Sequence, residues 1–268
     1  MILHAVEAGP DQPPPGSSVV LLHGLFGSAR NFGLVQRRLA VAHRVIALDL
    51  RNHGASPHAA SMDYAEIATD VIETLAARDA LPAVLIGHSM GGKAAMRVAL
   101  DRPDAVTALL VADIAPVPYP PHFQAIAEAM AAVPRRPGLT RAAADAALAE
   151  TEPDPALRGF LLQNFVPGAG ADEVPHWRIG LAEIIAALPM IGGWKAPDGA
   201  RYPGPVLVVS GAQSDYVRPE HRAVFRALFP AARFVSLRHA GHWLHADNPA
   251  GFVAVAEAFL QAFGAATP

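Results

Sequence analysis

The 268-residue sequence has no cysteine. Disulfides, thiolate metal ligands and a cysteine nucleophile are excluded together, and the absence fits a reducing compartment. An excess of charge of one sign is also missing. There are 21 Lys and Arg against 24 Asp and Glu, for a formal net charge of −3. Without a basic stripe, no nucleic-acid partner is expected. No uncharged apolar run approaches the roughly 20 residues needed to cross a bilayer. Residues 1–10 carry no Lys or Arg ahead of an apolar stretch. Neither membrane insertion nor a secretory signal is therefore expected, and a cytoplasmic location is. What the chain does have is apolar bulk, with 52% hydrophobic and 17% charged residues. That is too apolar for disorder, and the length suits one large α/β domain or two small ones.

Four short apolar runs punctuate the first half. Val19-Val20-Leu21-Leu22 ends in His23-Gly24, and Arg44-Val45-Ile46-Ala47-Leu48 ends at Asp49. Ala83-Val84-Leu85-Ile86 ends at Gly87, and Ala108-Leu109-Leu110-Val111-Ala112 ends at Asp113. Continuous apolar runs bounded by turn residues read as strands buried on both faces of a parallel sheet. Between them, residues 31–40, 64–78 and 90–100 place apolar side chains at helical spacing. Alternating strands and helices of this kind build right-handed βαβ units and an open parallel sheet. Ligands then bind beyond the carboxyl ends of the strands.

The pattern breaks after a proline cluster (Pro116, Pro118, Pro120, Pro121) and resumes at Val206-Leu207-Val208-Val209. A helix over 219–229, a strand at Phe234-Val235-Ser236-Leu237 and a helix over 249–263 follow. The intervening 116–205 shows helix-like pieces and no convincing strand. A structureless loop of that length is improbable in a compact domain. The expectation is a core of residues 1–115 and 206–268 with a helical cap, 116–205, inserted over the strand ends.

Gly87-His88-Ser89-Met90-Gly91 matches G-x-S-x-G, a weak pattern alone. Its setting, an apolar strand before and a helix after, forces a sharp turn with the Ser89 hydroxyl at its tip. Ser89 is the candidate nucleophile. The same stretch nearly matches a phosphate-binding loop, G-x-x-x-x-G-K. That motif requires Ser or Thr next, for Mg²⁺, and the residue is Ala94. Two backbone N–H groups are needed where negative charge develops on a carbonyl oxygen. Met90 follows the nucleophile, and the loop His23-Gly24-Leu25-Phe26-Gly27 offers the other, Leu25 ahead of Phe26. The base should follow the last strand, where His242 lies in His239-Ala240-Gly241-His242-Trp243. The spacing of His239, His242 and His245 hints at a metal, but the Glu and helix of a zinc-protease motif are missing, so no metal and no cofactor are expected. The acid that orients the imidazole has two candidates. Asp113 ends the preceding strand and is preferred, with Ser214 as an accessory hydrogen-bonding group. Asp215 is the runner-up. Asp49 reads as a carboxylate capping its own turn.

These residues resemble the α/β-hydrolase superfamily, and more narrowly the bacterial YbfF-type esterases and their mitochondrial relatives. The resemblance rests on His23-Gly24-Leu25-Phe26-Gly27-Ser28, Asp49-Leu50-Arg51-Asn52-His53-Gly54, the Ser89 turn through Lys93, Asp113-Ile114-Ala115-Pro116-Val117 and Gly241-His242-Trp243. It implies a mostly parallel central sheet flanked by helices, a small helical cap, and hydrolysis of small-molecule acyl esters including acyl-CoA thioesters. It also places Asp113 and Ser214 near His242 and makes Trp243 part of an acyl pocket. Phe26 and His88 are expected beside the substrate. From the cap, Phe123, Ile126, Met130 and Trp177 are candidates for contact with an acyl chain, although packing within the cap is the plainer reading for each. The other class considered is a non-catalytic small-molecule receptor on the same scaffold. Within hydrolases, C–C bond hydrolysis and perhydrolysis use similar parts.

Overall fold

The computed structural model describes residues 1–10, 18–120, 123–170 and 172–263; Pro121 of the proline cluster lies outside them. The strands in chain order are β1 (Ala5–Ala8), β2 (Ser18–Leu22), β3 (Arg44–Leu48), β4 (Ala83–His88), β5 (Val106–Ala112), β6 (Phe165–Val166), β7 (His176–Trp177), β8 (Val206–Gly211) and β9 (Ala232–Leu237). The helices are α1 (Gly33–Leu39), α2 (Tyr64–Ala76), α3 (Met90–Asp101), α4 (Gln124–Ala132), α5 (Arg141–Leu148), α6 (Pro155–Leu161), α7 (Leu181–Gly192), α8 (His221–Leu228), α9 (Leu244–Asp247) and α10 (Pro249–Phe263).

Seven strands form one sheet in the order β1-β3-β2-β4-β5-β8-β9. All pairs are parallel except β1 with β3. Successive side chains on a strand point to opposite faces, and here both faces are apolar. Val20 and Leu22 enter one buried cluster beneath α2 and α3, while Val19 and Leu21 enter the other beneath α1 and α10. This double burial is why the strands read as unbroken apolar runs. The short, half-polar β1 escaped that reading.

Between β5 and β8 the chain leaves the sheet and forms α4 to α7. Contrary to expectation, this excursion contains strand. Phe165 pairs with Trp177 and Val166 with His176 in a two-stranded antiparallel ladder, too short for any periodicity to announce it. The excursion is anchored to core loops by specific polar contacts. The Asn164 amide donates to the Phe26 carbonyl at 2.7 Å, the Gly180 N–H to the Asn52 carbonyl at 2.9 Å, and the Tyr64 hydroxyl to the Ile191 carbonyl at 2.8 Å.

Candidate active site

The site is built at the carboxyl ends of β4, β5, β8 and β9. Ser89 joins β4 to α3 with φ 52° and ψ −119°, a backbone region that L-residues avoid and that persists only when its surroundings hold it. The Ser89 N–H donates to the Ala112 carbonyl and the Lys93 N–H to the Ser89 carbonyl, each at 3.0 Å. The turn demands glycine on both sides. A Cβ at Gly87 would stand 2.2 Å from the Gly91 carbonyl oxygen, and one at Gly91 would stand 2.2 Å from that of Leu22.

The Ser89 hydroxyl lies 3.0 Å from His242 Nε2, and His242 Nδ1 lies 2.8 Å from Asp113 Oδ2. Asp113 is wholly buried, with φ 51°. Its Oδ1 accepts the Gly211 N–H at 3.0 Å, and its Oδ2 also accepts the Ser214 hydroxyl. The carboxylate is thus held by three donors, one of them the imidazole, and stays an acceptor for His242. Asp215 is elsewhere: its carboxylate is exposed and faces Arg218 at 3.6 Å. One place along the loop turned it to solvent, where Ser214 turns inward.

Three further groups hold His242. The Tyr216 ring stacks on the imidazole with centroids 3.9 Å apart and planes 19° apart. Trp243 packs against the imidazole from a second direction, with centroids 5.7 Å apart. The His88 Nε2–H donates to the His242 carbonyl at 2.7 Å. His88 was expected to touch substrate. It borders the cavity beside Ser89, but its N–H is engaged by the His242 carbonyl. Burial, and then the neighbouring His242 and His245, push His88 well below the ordinary imidazole range, so it serves as a neutral donor.

The loop after β2 is fixed by two buried histidines whose ring centroids are 5.1 Å apart. His23 donates from Nδ1 to the Gly24 carbonyl at 2.8 Å and accepts the Leu50 N–H on Nε2 at 3.0 Å. His53 donates from Nδ1 to the Arg51 carbonyl at 2.9 Å and accepts the Phe26 N–H on Nε2 at 3.1 Å. Burial lowers both, His53 to about 3. The Phe26 N–H is therefore engaged, which removes it as an oxyanion donor. The Leu25 N–H has no acceptor among the described residues. The Met90 N–H, in the first turn of α3, has no partner within its own helix. Asp49 accepts the Ala29 and Ala55 N–H groups at 2.7 and 2.8 Å and caps the turn that presents His53.

Two cavities meet at Ser89. One is walled mainly by apolar and aromatic side chains, among them Leu25, Ile114, Phe123, Leu188, Tyr119 and Tyr216, with Lys93 in its wall. The other runs past Phe26, Phe160, His242 and Trp243. Of the cap candidates, Phe123 lines both. Ile126, Met130 and Trp177 line neither. Met130 is fully buried among the helices of the excursion, and its carbonyl accepts the Trp177 indole N–H at 2.9 Å. Phe123 lies just before α4, where the chain still borders the site. Of the three spaced histidines, His239 is exposed, His242 faces Ser89, and His245 stacks on Phe32 and meets the His88 ring edge to face. No metal-binding cluster occurs among the described residues. Sequence reading gave no role to His53 or Tyr216. His53 sits in a motif already singled out, so its signal was present. Tyr216 carried none.

A parallel sheet with a serine perched after its middle strand, and an imidazole and acid on later loops, defines the class of α/β hydrolases. The family model described as alpha/beta hydrolase family matches residues 19–255, and the chain belongs to that family. The chain is 38% identical over 251 residues to the sn-1-specific diacylglycerol lipase ABHD11 of Mus musculus, covering 91% of this chain and 80% of that protein. It is 38% identical over 237 residues to esterase YbfF of Escherichia coli (strain K12), covering 87% of this chain and 89% of that protein. A solved marine microorganism esterase superposes with a TM-score of 0.91 at 31% identity, covering 97% of this chain and 99% of that one. The YbfF-type resemblance read from the motifs is thereby shown.

Proposed function

We infer that this hydrolase cleaves small carboxylic esters, and acyl-CoA thioesters, through a covalent acyl-serine. The observation that carries this is the linear relay from the Ser89 hydroxyl through His242 to Asp113, at 3.0 and 2.8 Å. In this reading His242 Nε2 takes the hydroxyl proton as Ser89 Oγ bonds to the acyl carbon. The carbonyl oxygen becomes an oxyanion, held by the Leu25 and Met90 N–H groups. The intermediate collapses, the bond to the alcohol or thiol breaks, and His242 returns the proton to the leaving group. Water then repeats the sequence on the acyl-enzyme and frees the acid and Ser89. Asp113 accepts the Nδ1–H and stabilises the imidazolium formed in between. The apolar cavity takes the acyl chain and the cavity past Trp243 the leaving group. No cofactor enters the balance. The relatives named esterase and lipase support the reaction class. The test is a panel of p-nitrophenyl esters and acyl-CoAs of graded length. A product burst with either leaving group, abolished in Ser89→Ala, is expected. Full activity in Ser89→Ala would overturn the reading.

A further inference from the structure

Lys93 lies one helical turn beyond Ser89, an axial rise of about 6 Å, and its side chain is 1% exposed. It borders the same apolar cavity that reaches Ser89. Its Nζ donates to the Gly192 and Gly193 carbonyls at 3.1 and 2.8 Å and lies over the Tyr64 and Tyr119 rings. An ammonium has three N–H donors, so one remains. No carboxylate pairs with Lys93 among the described residues, and burial alone brings its amine down to about 7. A buried cation normally has a counter-charge; here the open side is the cavity.

The Tyr64, Tyr119 and Gln124 side chains of that wall each have a partner already. The Tyr64 hydroxyl donates to the Ile191 carbonyl, and the Tyr119 hydroxyl donates to the Tyr216 carbonyl at 2.6 Å. The Tyr119 oxygen accepts the Ala115 N–H at 2.9 Å, and the Gln124 amide donates to Glu128 at 2.6 Å. Besides the Ser89 hydroxyl, the free donors among the described residues of this wall include the Leu25 and Met90 N–H groups, a second Gln124 amide N–H and Lys93, and of these Lys93 alone is a cation.

We propose that Lys93 is a specificity-determining residue, which receives the distal carboxylate of a short dicarboxylic acyl group, so that half-esters of such acids are substrates. The inference rests on the ester-hydrolase reading. The carboxylate supplies the counter-charge that no described residue provides, and its carbon chain crosses the apolar wall between Lys93 and the acyl carbon at Ser89. The reaction is ester hydrolysis as above; Lys93 binds and takes no part in bond making.

The probes are monoethyl succinate and monoethyl glutarate, each compared with its neutral isostere, ethyl 4-methylpentanoate and ethyl 5-methylhexanoate. The measured quantity is the ratio of kcat/KM for half-ester over isostere at pH 6.5, in the wild type and in Lys93→Met. Any shared loss at the ester centre cancels in the ratio. For at least one pair the wild-type ratio is expected above one, and Lys93→Met lowers it on the order of tenfold to a hundredfold, as loss of a charge-assisted hydrogen bond does. The loss should fall on KM for the half-ester. A wild-type ratio below one for both pairs, or an unchanged ratio in Lys93→Met, overturns the assignment while hydrolysis of the neutral esters leaves the ester reading standing. Failure of the wild type to cleave all four esters overturns both. If Lys93→Met does not fold, the wild-type ratios decide alone.

Discussion

His53 makes acid stability a test of how the loop after β2 is held. Its imidazole is wholly buried and held at about 3 against an ordinary value of 6.5. Below 6.5 the unfolded chain binds a proton there that the folded protein refuses. Stability is therefore lost as pH falls from 6.5, and the loss saturates near 3. Each pH unit in that window corresponds to about 1.36 kcal/mol. Between pH 7 and pH 5 the term from His53 alone comes to about 2 kcal/mol. His23 and His88 are buried and lowered in the same direction, so their sign is the same. The lowered carboxylates, such as Glu7 and Asp49, act below their ordinary values of 4.5 and 3.8, outside this window. Urea unfolding followed by circular dichroism at pH 7 and pH 5 should show the wild-type midpoint falling by at least roughly 1 M for a slope of 2 kcal/mol per M, His53 alone supplying that much. In His53→Gln the amide oxygen can still accept the Phe26 N–H, and the titration is removed. That variant should be weaker at pH 7 yet lose about 2 kcal/mol less between the two pH values. A wild-type midpoint independent of pH over this range, or equal pH slopes in the two proteins, would refute the reasoning.

Asp113→Asn should lower kcat by on the order of 10³–10⁴, through the wrong imidazole tautomer. Asp215→Asn, at an exposed carboxylate facing Arg218, should stay within about twofold, since exposed pairs contribute little; steady-state ester hydrolysis compares them. Ser214→Ala removes one of the three donors on Asp113 and should cost about three- to tenfold in kcat/KM, since a single hydrogen bond is worth about 1 kcal/mol; no loss would make Ser214 dispensable to the carboxylate. Met130→Ala should destabilise by about 2–5 kcal/mol in denaturant titration and leave acyl-chain preference unchanged, because Met130 packs inside the excursion. A shift in that preference would return it to the substrate wall.

The legible parts of the fold were those where one physical rule acts locally. Strands buried on both faces write themselves as runs such as Val84 to Ile86, and the Ser89 turn is marked by glycines that nothing bulkier can replace. Asp113 was readable because a strand end fixes its position. Phe26 shows the opposite case. Whether its N–H is free depends on His53, which lies 27 residues away and meets it only after folding. The excursion was hardest for the same reason. The β6–β7 ladder is two residues wide, and an amphipathic α4 has the same spacing whether its apolar face meets substrate or the Trp177 indole. Lys93 entered the sequence reading through the near-match to a phosphate-binding loop, because sequence does not show that the Gly192 and Gly193 carbonyls and two tyrosine rings enclose it.

The central claim is that His242 activates the Ser89 hydroxyl for attack. Its most direct measurement is intact-mass analysis after exposure to a fluorophosphonate, with peptide mapping of the adduct. One phosphonyl group per chain on Ser89, much slower labelling in His242→Ala and none in Ser89→Ala is the predicted result. Labelling on another residue, or wild-type labelling no faster than His242→Ala, would contradict it.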